Sequence, residues 1–180
     1  MSLINHVEYF LGAIDDAWQS ESGIKVAHFR DKPVDGVATY VTLGLSHHVL
    51  PMHGERTVRE ELVFSAYEKY PRAQIASFLL TFCDFVLSKH KALLRSNVIG
   101  PSDPIMPDVS LNAIYAAIPV VFDEGFATYS DTSPPTIFVW LIPLHGTEAK
   151  FVKKNGWSQF EDILEAKDPD LWDLNRDPVL

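Results

Sequence analysis

The stretch "PTIFVWLIPL" (135–144) is apolar at almost every position. Successive side chains of a strand point to opposite faces, so a strand of this composition needs cover on both sides. Two other segments alternate. "VATYVTLGL" (37–45) puts Val37, Thr39, Val41, Leu43 and Leu45 on one face. "VREELVFSAY" (58–67) puts Leu62, Phe64 and Ala66 on one face and Val63 on the other. Both read as strands, joined by the longer loop "SHHVLPMHGERT" (46–57). "IKVAHFR" (24–30) and "LNAIYAAIPVVF" (111–122) read as further strands.

The cover comes from segments of helical period. Leu3, Ile4, Val7, Phe10, Leu11, Ile14 and Trp18 predict an amphipathic helix over 3–19, stopped near Ser20–Gly23. After Pro71, the spacing of Ile75, Phe78, Leu79, Phe82, Phe85 and Val86 predicts a second helix to about Lys89. Pro101, Pro104 and Pro107 exclude a helix from the stretch that follows. Further on, Thr147 can cap a short helix with Glu148 in its first turn, ending at Asn155–Gly156. Ser158 with Glu161 has capping-box spacing and starts a last helix carrying Phe160, Ile163 and Leu164. Leu171, Trp172 and Leu174 in the acidic tail are expected to pack back. The expected fold is α+β: a mixed, largely antiparallel sheet flanked by helices, in a single domain over 1–180.

The chain has 180 residues and one cysteine, Cys83, so it forms no internal disulfide, which fits a reducing compartment. It starts without the basic and apolar segments of a signal peptide and holds no membrane-length apolar run. The expected location is cytoplasmic. A net charge of -9 disfavours nucleic-acid binding, which needs clustered Lys and Arg. It suits a basic partner, or solubility alone.

"GLSHH" (44–48) places Ser46 beside His47 and His48. A nucleophile elbow reads G-x-S-x-G between a strand and a helix. Here His48 replaces the second glycine and a loop follows. Adjacent side chains on an extended chain point apart, so His47 cannot easily serve Ser46 as a base. His47, His48 and His53 lie within seven residues. Zinc needs three or four converging ligands, and neither H-E-x-x-H nor C-x-x-C is present. No metal or cofactor is expected. Glu60 shares the face of Leu62 and Phe64, and a buried carboxylate needs a partner; Arg56 and Arg30 are the candidates. Cys83, among Phe82, Phe85 and Val86, reads as an inert core thiol.

The ordered segments resemble the suppressor-of-fused domain family. "YVTLGLS" (40–46) is similar to that family's Y-x-T/S-x-G-L-S strand motif, and "EELVFSA" (60–66) to its following strand. "IFVWLIPLHGTEAKFVKKNGWSQFEDIL" (137–164) resembles its late strand and two short helices, and "LWDLNRDPVL" its terminal segment. The first 39 residues match only as a helix followed by a strand. In the animal member, a Hedgehog-pathway regulator, two domains clamp a transcription-factor peptide. This chain stops where the first of those domains stops, so the clamp is not expected here. Single-domain bacterial forms are proposed to be immunity proteins that neutralise polymorphic toxins, many of them basic nucleases.

The resemblance therefore implies a non-catalytic protein-interaction domain, expected to be an immunity protein whose partner is a protein, with a basic toxin domain as the candidate. It identifies no functional residue. The long loop offers His47, His48, Met52 and His53 as partner contacts. A regulatory or scaffold protein is the alternative, and a small hydrolase using Ser46 is the third reading.

Overall fold

The computed structural model describes all 180 residues. Helix α1 (Leu3–Leu11) opens where the Ser2 hydroxyl accepts from the Asn5 amide. It closes at Gly12, whose φ of 86° is open to glycine but costly for other residues. The expected helix over 3–19 is therefore cut short. Asp16–Gln19 instead form strand β1, which pairs antiparallel with β2 (Lys25–Phe29). Trp18 fits the helical period, but the hairpin takes it.

The remaining strands are β3 (Val37–Leu43), β4 (Leu50–Pro51), β5 (Thr57–Tyr67), β6 (Val98–Ile99), β7 (Ala113–Ala117), β8 (Thr128–Tyr129) and β9 (Thr136–Leu144). They form one sheet in the order β1-β2-β3-β5-β9-β7-β6, with β4 beside β5 and β8 beside β9. Every pairing is antiparallel except β5 with β9. The sheet is mixed and largely antiparallel, and the fold is α+β as expected. Residues 118–122 lie beyond β7 rather than extending it.

Helix α2 (Arg72–Lys89) covers one face. There Tyr40, Leu62 and Phe64 meet Ile75, Leu79, Phe82 and Cys83. On the other face Val41, Val63 and Phe138 meet Val7, Leu11 and Phe126. Beside them Tyr115, Trp140 and Leu144 pack against Val152 of α3 (Gly146–Asn155) and Phe160 of α4 (Trp157–Lys167). All of β3 is buried, including Ala38, Tyr40 and Thr42. The alternation in the sequence implies one covered face, but both are covered: Ala38 and Tyr40 pack on the α2 side, and Val41 and Leu43 pack on the α1 side.

The helix starts near the C-terminus differ from the cap spacing. His145, not Thr147, is the N-cap of α3, and its amide donates to Glu148 Oε2 at 2.8 Å. Gly156 precedes α4, so Ser158 lies inside the helix. Glu161 accepts instead from Tyr115 Oη and Arg95 Nη2, both at 2.6 Å. The tail packs back as expected. Leu174 is buried, and Trp172 lies against Trp140 with ring centres 5.6 Å apart.

Candidate interaction site

The Gly44–Ser46 turn is a structural clamp. Gly44 has φ 118°, and a Cβ there would lie 3.5 Å from the Ile24 backbone. The buried Glu61 carboxylate accepts from Thr42 Oγ1 at 2.6 Å, the Gly44 amide at 2.8 Å and the Ser46 amide at 3.1 Å. Burial still pushes its pKa up, opposed by those donors. From the other side, Arg59 donates to the carbonyls of Ser46 at 2.8 Å and His47 at 3.3 Å. One carboxylate and one guanidinium thus satisfy the polar backbone of a turn that leaves the sheet. Ser46 is buried, and its hydroxyl makes no hydrogen bond to an imidazole. The serine–histidine arrangement suggested by local sequence is not assembled.

His47, His48 and His53 are exposed, and Met52 is half-buried against the core. The segment between them is anchored rather than free. Leu50 is buried in β4, and the Pro51 carbonyl accepts from the Ala92 amide at 2.9 Å. No three His, Cys, Asp or Glu side chains converge as metal ligands.

Glu60 is buried as expected, but neither expected arginine reaches it. Arg56 is exposed, and Arg30 pairs with Asp15 at 3.3 Å. No side chain pairs with either Glu60 oxygen, and burial pushes its pKa up to about 8, opposed by the nearby Leu93 backbone. The carboxyl is therefore largely protonated near neutral pH. The Cys83 thiol is also pushed up, chiefly by burial, which agrees with an inert core cysteine.

Two polar clusters had no clear sequence signal. His28, fully buried, bonds Asp15 through Nδ1 at 3.1 Å and lies 3.7 Å from Glu68 through Nε2. Arg72 ties both carboxylates together. At the other end, Arg176 grips Glu148 with two 2.7 Å bonds. Both clusters hold elements in place: the first joins the β1 hairpin to α2, the second joins the tail to α3.

The largest concavity is an open cleft of about 890 Å³ between α2 and residues 98–107. Phe78, Phe82 and Phe85 form one wall, with Ile99, Ile105 and Met106 opposite; its charged residues are Lys89 and Asp103. The α2 period marks these phenylalanines as apolar but does not show that part of their surface stays open. A cleft of this size and composition suits binding.

A two-faced mixed sheet, a clamped Gly44–Ser46 turn and an arginine-tethered tail define the structural class. The chain belongs to the suppressor of fused protein (SUFU) family, whose family model matches residues 20–177. Among curated proteins it is similar to the immunity protein YqcF of Bacillus subtilis (strain 168). The two are 23% identical over 164 residues, which cover 88% of this chain and 83% of that one. Among solved structures it is similar to a SUFU homologue of Neisseria gonorrhoeae FA 1090, with TM-score 0.79 and 14% identity over 98% of this chain and 93% of that one. The Sufu–Fu complex gives TM-score 0.69 at 13% identity, over 91% and 82% of the two chains. Drosophila Suppressor of Fused gives TM-score 0.61 at 14% identity, and the match spans 38% of that chain. The family and its named bacterial relative accord with a non-catalytic binding role. No helix is long and apolar enough to cross a membrane.

Proposed function

We propose that this chain is an immunity protein that binds a toxin domain in the cytoplasm and neutralises it by occlusion. The observation that carries this reading is the similarity to a named immunity protein over most of both chains. The structure supports it in two ways: its largest concavity is an apolar cleft, and Ser46 is not placed as a nucleophile. The formal charge of -9 favours a basic partner. His47, His48, Met52 and His53 are candidate contacts of that partner. The test is co-expression with the toxin domain encoded beside this chain's gene. The expected result is restored growth and a co-purified complex. A toxin that still kills, or one that forms no complex, overturns the reading.

A regulatory role is the second reading. It is favoured by the similarity to the Sufu component of the Sufu–Fu complex. It predicts a stable complex with a protein other than a toxin and no protection of growth.

A further inference from the structure

A second concavity lies on the opposite face of the sheet from α2. It is a pit of about 240 Å³. Its floor is the buried rings of Trp140 and Tyr115 with Ile142, and its walls include Leu164 and Leu171. A drug-sized ligand needs a pocket of roughly 300 Å³ or more, so this one suits an anchoring side chain.

The rim is unusually apolar for a surface. Ile118 is 46% exposed and Val120 is 75% exposed, with Val121 beside them. Exposed Trp157, which opens α4, stacks under the Arg95 guanidinium at 4.5 Å. Arg95 pairs in turn with Glu161, another wall residue. A small pit with a buried aromatic floor, a clustered apolar rim and an arginine on an aromatic ring are the features of an interface anchor site.

The charge around the pit indicates what binds there. Helix α4 and its C-cap carry four carboxylates, Glu161, Asp162, Glu165 and Asp168, against one lysine, Lys167, a net -3 of the chain's -9. Of these, Glu161 is paired with Arg95. Glu165 and Asp168 stay exposed. Glu165 lies one turn beyond Glu161 on the same side of α4.

We propose that this pit is the anchor point for the protein partner, and that the partner inserts an apolar side chain flanked by Lys or Arg. The inference rests on the immunity reading for the partner's identity, but not for its chemistry. The anchor supplies buried contact, while the exposed carboxylates of α4, Glu165 and Asp168, steer the approach and disfavour acidic surfaces.

The chemistry is tested by titrating ¹⁵N-labelled protein with a peptide bearing a central Leu-Trp pair flanked by arginines. Amide shifts are expected to cluster at 117–121, 157–165 and 171. Val120→Asp and Glu165→Lys are each expected to weaken binding about tenfold, as at an interface hot spot. Both residues are exposed, and an unchanged melting temperature confirms that the variants fold. Shifts centred on the α2 cleft, or spread over all acidic regions, overturn the proposal. So does a dimer of the free protein that Val120→Asp dissociates, since a second copy then fills the pit.

The same variants are then co-expressed with the neighbouring toxin domain. Loss of protection by both variants supports the proposal, and full protection by both overturns it. Failure of the unaltered chain to protect refutes the immunity reading; the peptide map then decides the pit by itself.

Discussion

Arg176→Met offers a severe test of how the tail is held. Arg176 and Glu148 are almost fully buried, and two 2.7 Å bonds join them. Glu148 also accepts from the amides of His145 at 2.8 Å and Val179 at 2.9 Å. Methionine fills much of the space but leaves a buried carboxylate with only those two amides. Breaking a buried pair from one side costs about 3–5 kcal/mol. In a chain of this length each kcal/mol lowers Tm by about 2–4 °C, so a fall on the order of 10 °C is expected. The cost should depend on pH. Burial pushes the Glu148 carboxyl up, but Arg176 and the two amides together bring it below its ordinary value. That stabilisation is present above the unfolded pKa and is lost as pH falls through the folded one. In the variant, burial is less opposed and the carboxyl moves up. The stability gap should therefore be widest near neutral pH and narrow towards pH 4. Urea unfolding at both pH values measures it. A gap under about 1 kcal/mol at neutral pH, the range of a surface pair, refutes the argument, as does an equal gap at both.

Four further outcomes are expected. The Glu60 pKa is raised, so the folded state holds a proton that the unfolded chain releases, and stability falls as pH rises from the ordinary carboxyl range to about 8. Glu60→Gln should flatten that slope in urea melts at pH 5 and pH 8.5, with its gain confined to the higher pH. Gly44→Ala should cost about 1–3 kcal/mol, because φ is 118° and the turn is pinned from both sides; an unchanged unfolding midpoint would refute the clamp. Cys83 should resist a disulfide reagent at pH 8 in the native protein and react fully in denaturant, as its burial and raised pKa require. Replacing His47, His48 and His53 by alanine should leave Tm within a few degrees and weaken the toxin complex less than Val120→Asp does. Calorimetry showing the larger loss in the histidine variant would move the centre of the contact to that loop.

Much of the fold was legible because it follows short-range periods. The strands at 37–45, 58–67 and 135–144 and the helix after Pro71 each announce themselves through alternation or helical spacing. The errors share one physical cause. Thr147 and Ser158 satisfy local cap spacing, but the acids that would complete those caps are drawn elsewhere: Glu148 to His145 and Arg176, and Glu161 to Tyr115 and Arg95. Trp18 satisfies a helical period that Gly12 has already ended. Glu60 was legible as buried, but its lack of an arginine partner depends on Arg30 turning to Asp15. Apart from the local break at Gly12, each is a choice between a near partner and a distant one, and spacing along the chain does not weigh distant partners.

The binding surface is harder to read for a related reason. Helical period marks Phe78, Phe82 and Phe85 as apolar in the same way whether they meet the core or an open cleft. Apolar residues are removed from water by the chain itself or by a partner, and the driving force is the same in both cases. Ile118 and Val120 looked like the end of a strand because they continue the apolar run of β7. They become informative only because the sheet stops before them and leaves them around a pit beside the acidic helix α4. A partner that fills this pit must bring both apolar surface and positive charge. An apolar anchor alone would leave the exposed Glu165 and Asp168 beside it unpaired, and charge alone would leave the pit open to water.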